Sequence, residues 1–99
     1  MPYIIDYSPE AEDHLRWLTT RQQRTVVDNV ERRLLHEPTV ETKNRKPMRP
    51  NPVAPWELRL GTLRVYYDVE EQPEQRVIIV AVGVKEGNRV RIGGEVIEL

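Results

Sequence analysis

Residues 55–69 read PWELRLGTLRVYYDV. From Trp56 to Leu60 apolar and polar residues alternate with the two-residue period of a strand that buries one face. Gly61-Thr62 interrupts the alternation, and a second run follows from Leu63 to Val69. Glycine at the first central position of a two-residue loop suits a type II′ hairpin turn. That turn sets the register: Leu60 faces Leu63, Arg59 faces Arg64 and Leu58 faces Val65. The four apolar residues then share one face, and the two arginines lie side by side on the other with Tyr66. Like charges opposite one another on a strand pair are destabilising, so the arginines point to an anionic partner. Two other readings stay open here: side chains splayed into water, or Arg59 bonded to Glu57 or Asp68.

Working outward toward the N-terminus, Tyr3 to Tyr7 is a short strand rich in aromatic and β-branched residues. Ser8-Pro9-Glu10 marks a helix start, with Ser as N-cap, Pro at the first helical position and acids in the first turn. Ala11, Leu15 and Leu18 continue at helical spacing. Thr20-x-x-Gln23 fits a capping box for a second helix, striped by Val26, Val27, Val30, Leu34 and Leu35. Pro38 predicts a stop near Glu37. The short connection predicts an antiparallel helical hairpin. From Thr39 to Pro55 four prolines and a basic run give an extended connection, long enough to suggest a functional loop.

Beyond the hairpin, Glu70 to Gln75 is an acidic turn. Arg76 begins VIIVAVGV, a run apolar enough for a central strand covered on both faces, closed by Lys85. Gly87-Asn88 is a turn, Arg89 to Ile92 alternates like a short strand, and Gly93-Gly94 bends the chain before EVIEL. That tail reads equally as strand, helical turn or partner-dependent segment. The fold class is therefore α+β: a strand, two helices on one sheet face, then a mainly antiparallel sheet of three to four further strands.

The chain has 99 residues, a length suited to one domain spanning 1–99. With 38% hydrophobic and 31% charged residues it is globular rather than disordered. It has no cysteine, which excludes disulfides and thiolate metal sites. No apolar run is long enough to span a membrane, and MPYIIDYSPE has no basic n-region or h-region, so a cytoplasmic location is expected. The net charge of −1 argues against indiscriminate nucleic-acid binding but conceals a basic run, Lys43, Arg45, Lys46 and Arg49, suited to a phosphate backbone.

His14 and His36 lack partners at metal-ligand spacing and are read as structural; no metal or cofactor is expected. There is no Gly-rich phosphate loop and no nucleophile elbow. Trp17 and Trp56 read as core or helix–sheet contacts. Tyr66 reads either as a base-stacking or proton-donating group or as an ordinary surface tyrosine. Arg59, Arg64 and Lys85, with Arg89 and Arg91 on the next element and the basic run leading into the hairpin, are expected to converge on one cationic surface. Such a site can cleave RNA by orienting the 2′-hydroxyl and stabilising charge on the phosphorus in the transition state. A lysine or tyrosine serves as acid or base if neighbouring cations depress its pKa.

The order of these features resembles the RelE/ParE-like family of toxins from prokaryotic toxin–antitoxin systems. The resemblance is carried by Tyr3-Ile4-Ile5-Asp6-Tyr7-Ser8 with Ala11, Leu15 and Leu18; by Leu34-Leu35-x-x-Pro38; by Leu58-Arg59-Leu60-Gly61 and Leu63-Arg64-Val65-x-Tyr67-x-Val69; and by Val77 to Gly83. It implies a toxin neutralised by a cognate antitoxin. In the RelE branch the implied activity is ribosome-dependent mRNA cleavage (an mRNA interferase), using basic sheet residues and a C-terminal aromatic or histidine. The matching positions are Arg59, Arg64 and Lys85; Glu57 stands where such members often carry a basic residue, and the aromatic position falls at about Arg91. Lys43, Arg45, Lys46, Arg49 and Arg89 would then contact RNA. The ParE branch implies instead a protein-binding toxin acting on DNA gyrase, and a non-toxic relic of the fold is a third possibility.

Overall fold

The computed structural model describes residues 2–98; Met1 and Leu99, the last residue of the EVIEL tail, lie outside the described residues. In chain order it contains β1 (Ile4–Tyr7), α1 (Pro9–Leu15), α2 (Thr20–Leu34), β2 (Arg45–Pro47), β3 (Trp56–Leu60), β4 (Leu63–Glu70), β5 (Arg76–Glu86), β6 (Arg89–Ile92) and β7 (Glu95–Ile97). The strands form one sheet in the order β2-β3-β4-β5-β6-β7, and β1 joins β5 in parallel while every other pair is antiparallel. The architecture is α+β. No helix among the described residues is long and apolar enough to cross a membrane.

The hairpin has the register its sequence implies: Leu60 faces Leu63, Arg59 faces Arg64 and Leu58 faces Val65. Gly61 has φ 62° and Thr62 is not in the left-handed region, the combination of a type II′ turn. Leu58 and Val65 are fully buried against Val26, Val30 and Leu34 of α2 and Ala11 of α1. Burying one such large aliphatic side chain contributes about 1.5–3 kcal/mol, so this layer, more than helix propensity, holds the helices in place.

β5 is the spine of the sheet. One of its edges is taken throughout by β4, and the other by three elements in succession. Residues 76–79 pair with β1, and residues 83–86 pair with β6. Between them Ser8 Oγ donates to the Val80 carbonyl (3.2 Å), and the Val82 N–H donates to His14 Nδ1 (3.3 Å). A bulge accompanies this gap, because Tyr67 opposes Ile79 whereas Tyr66 opposes Ala81. Val77, Ile79 and then Val82 pack on the helical side, while Val80 and Ala81 both join a second cluster with Tyr66, Val90 and Ile92 on the other side.

Several sequence expectations shift. The capping box sits one residue early: Thr19 Oγ1 accepts from the Gln22 N–H (3.1 Å), and Gln22 Oε1 accepts from the Thr19 N–H (2.9 Å). The run Thr19-Thr20-Arg21-Gln22-Gln23 offers the motif in two frames. α2 ends at Leu34, three residues before Glu37. Its last carbonyls are taken by distant donors: Arg45 Nη1 reaches Arg33 O (2.6 Å), and the Tyr3 N–H reaches Leu35 O (2.7 Å). Within the proline-rich connection, Arg45–Pro47 forms an edge strand, where proline is tolerated. Trp17 is 57% exposed, its ring laid on the backbone of Gly94, whereas Trp56 stacks on Tyr67 with ring centres 6.1 Å apart. Of the open readings of the tail, strand is the one observed.

Candidate nucleic-acid interface

Strand pairing places residues opposite one another on a common face, so the register alone assembles the outer face of the sheet. One row across the sheet is Lys46, Glu57, Tyr66 and Ala81, and the next is Arg59, Arg64, Gly83 and Ile92. Lys85 follows, opposite Val90. These residues line a cleft of about 560 Å³ walled on one side by residues 46–51.

The wall is a strap, residues 48–55, braced from within. Asn51 Oδ1 accepts from the N–H groups of Val53 (2.8 Å) and Ala54 (3.1 Å), while its Nδ2 donates to Arg49 O (2.7 Å) and Ala54 O (3.0 Å). The Met48 N–H closes the strap on Pro55 O at 2.8 Å. Ala54, Met48 and Val53 pack on Tyr66, Ala81, Val90 and Ile92, so the strap roofs half of the outer face and leaves the cleft beside it.

Five cations face the cleft around one carboxylate. Arg59 is half exposed and its Nε donates to Glu57 Oε1 at 2.6 Å. Arg64 is only 8% exposed; its Nη1 donates to the carbonyls of Gly61 (2.6 Å) and Leu63 (2.9 Å), and its Nε stands 4.0 Å from Glu57 Oε2. Such charge-assisted bonds are what a buried guanidinium requires. Lys46 pairs with Glu41 at 3.3 Å, beyond the rim. Among the described residues Lys85 and Arg49 form no ion pair. Of the open readings of the arginine pair, bonding of Arg59 to Glu57 is therefore the one observed: the arginines share an internal counter-charge.

Tyr66 lies at the base of the cleft and is fully buried, so it is neither a surface tyrosine nor a stacking platform. Its hydroxyl has no hydrogen-bond partner. Burial first, then the Glu57 charge and the nearness of its carboxylate to the hydroxyl, though no bond of ordinary geometry joins them, push the phenol above its ordinary range despite Arg64 and Arg59. The expectation that cations would depress a tyrosine pKa here fails, because desolvation and the nearer carboxylate outweigh them.

Sequence reasoning placed Arg59, Arg64, Lys85, Lys46 and Arg49 together, and the structure does so. Four of its other residues are elsewhere. Arg91 opposes Val84 and Leu63's partner row, so it lies on the helical face and pairs with Glu86 at 3.4 Å. Arg89, also off the cleft face by alternation, pairs with Glu98 at 3.3 Å. Arg45 opposes the buried Leu58 and is spent on Arg33 O and Val40 O. Lys43 is exposed outside the cleft. The sequence reading passes over Asn51, and it names Glu57 as a possible partner of Arg59 and not as a residue of the site. Glu57 was legible, two residues before Arg59 on an alternating strand; Asn51 was not, because its bonds are made only once the strap has closed.

No family model and no curated protein matches the sequence. Among solved structures, the toxin–antitoxin complex RelBE2 from Mycobacterium tuberculosis is similar, with a TM-score of 0.69 and 25% sequence identity over 86% of this chain and 100% of that one. The chain has a RelE-like toxin fold. In this RelE-like frame the cleft occupies the sheet face turned away from the two helices, and no group of three or more His, Cys, Asp or Glu side chains suited to a metal occurs among the described residues.

Proposed function

We propose that the protein is the toxin of a toxin–antitoxin pair, bound by a cognate antitoxin, and that it acts in the cytoplasm by cutting mRNA on the ribosome. The observation that carries this reading is the cleft itself: Arg59, Arg64, Lys85, Lys46 and Arg49 gathered on the open face of a RelE-like sheet. A phosphodiester held there meets the two requirements of cleavage, neutralised non-bridging oxygens and a fixed geometry. Glu57 is the one carboxylate lining the cleft, and it accepts the proton of the 2′-hydroxyl. The resulting O2′ attacks the adjacent phosphorus, the P–O5′ bond breaks, and O5′ takes a proton from the exposed ammonium of Lys85. The products are a 2′,3′-cyclic phosphate and a 5′-hydroxyl.

One observation favours a second reading. Glu57 already neutralises Arg59 and approaches Arg64, which suits a surface that binds protein without cutting RNA, as in a ParE-like toxin acting on gyrase. Induction in cells, with 5′-end mapping of transcripts and a supercoiling assay in parallel, separates the two. Discrete, translation-dependent 5′-hydroxyl ends, lost by about 100-fold in Lys85→Ala while the protein stays folded, support cleavage. Growth arrest with intact transcripts and altered supercoiling moves the assignment to gyrase, and no arrest at all leaves a relic of the fold.

A further inference from the structure

The cleft holds two features that explain one another. Glu57 is only 8% exposed, with its carboxylate against the Arg59 and Arg64 guanidiniums, where an incoming anion would bind. Directly opposite it across β3 and β4 lies Tyr66, whose buried hydroxyl is left without a partner. A buried hydroxyl with no partner is costly and calls for a reason. A second such group, Tyr7, belongs to the helical side and has no part in the cleft.

We infer that Glu57 is a displaceable internal occupant of the oxyanion site and that the Tyr66 hydroxyl is the partner that receives it when a phosphate takes its place. In the empty cleft Arg59 Nε holds Glu57 Oε1 at 2.6 Å. A bound phosphodiester competes for the same guanidinium and repels the carboxylate. Glu57 then needs a donor, since a buried carboxylate without one is strongly disfavoured. The nearest across the strand pair is Tyr66, whose phenol keeps its proton because burial and the same carboxylate hold its pKa high. Tyr66 is thus a positioning residue. It keeps Glu57 fixed in the cleft after Arg59 has turned to the substrate. This rests on the RNA-cleavage reading for its ligand, though the exchange itself requires only a phosphate.

The test is a titration of the wild-type protein, Tyr66→Phe and Glu57→Gln with a short single-stranded RNA made uncleavable by 2′-O-methylation, and separately with inorganic phosphate. Melting temperatures are read alongside. Tyr66→Phe keeps the ring and removes only the unpaired hydroxyl, so it is expected to melt no lower than wild type yet bind RNA about five- to tenfold more weakly. Glu57→Gln removes the competitor and is expected to bind at least about fivefold more tightly, while cleavage of ordinary RNA falls. In Tyr66→Phe the kcat for cleavage should fall as well as KM rise, a combination that a purely structural role with an unchanged melting temperature would not cause. Equal RNA affinity in wild type and Tyr66→Phe overturns the inference and leaves the cleavage reading standing. Phosphate bound in the expected order of affinities with no RNA bound overturns the RNA reading alone. Neither ligand bound overturns both. Should Glu57→Gln fail to fold, the Tyr66→Phe comparison still decides.

Discussion

His14 shows how one side chain sets both a fold detail and a pH response. Its Nδ1 accepts the Val82 N–H, a bond that only the neutral ring can make. Burial lowers its pKa below the ordinary 6.5, against the weaker upward pull of Asp13, Glu10 and Glu95. The unfolded chain therefore binds more protons than the folded one just below the unfolded pKa. The contribution of His14 to stability is present above 6.5 and is lost as pH falls through the lower folded value. Urea midpoints at about pH 7.5 and about pH 5 should show a fall in the wild-type protein that is smaller in His14→Gln. An equal fall in both would assign the pH sensitivity to other groups.

At the scale of elements, glycines on either side of the cleft do different work. Gly61 has open space around it but a φ of 62°, so alanine there meets backbone strain alone, about 1 kcal/mol. Gly83 has an ordinary φ, but a Cβ would stand 2.7 Å from Arg91 O and 2.8 Å from Val90 Cγ1. β6 crosses too closely for any side chain, and Gly83→Ala is expected to cost about 1–3 kcal/mol, more than Gly61→Ala, by denaturant midpoint. The same contrast explains what could be read in advance. The hairpin was legible because period, turn chemistry and charge placement lie within residues 56–69 and agree. The end of α2 was not, because Arg45, which looked like a phosphate contact in a basic run, spends its guanidinium on the helix terminus. Alternation alone would have assigned Arg45 and Lys46 to opposite faces, had residues 45–47 been recognised as a strand. Arg89 and Arg91 misled for a related reason: they alternate with Val90, and which set faced the cleft depended on a register that turn residues did not fix.

Across the whole molecule, the strap divides the outer face into two electrostatic territories. On one side lies the cationic cleft; on the other, a shallower groove of about 390 Å³ bordered by Glu10, Asp13 and Glu95. The chain as a whole is nearly neutral, so on the RNA-cleavage reading affinity for RNA would rest on a few local contacts. The logarithm of RNA affinity should then fall against the logarithm of salt concentration with a slope between roughly −2 and −3.5, the value for three to five phosphates on a single strand. A slope near zero would remove the cleft from RNA binding. Charge reversal at Arg49, which braces nothing through its side chain, should flatten the slope by about 0.7 without lowering stability. The bulge at Val80 carries a consequence of another kind. β5 has a reading frame, and Val80 is its single inserted letter. Deleting that residue would leave Ile79, Ala81 and Val82 in unbroken alternation opposite Tyr67, Tyr66 and Val65, with Gly83 and Lys85 still on the cleft face. What the extra letter supplies is a pause, the stretch where β5 passes from β1 to β6 and where Ser8 and His14 take hold of its edge.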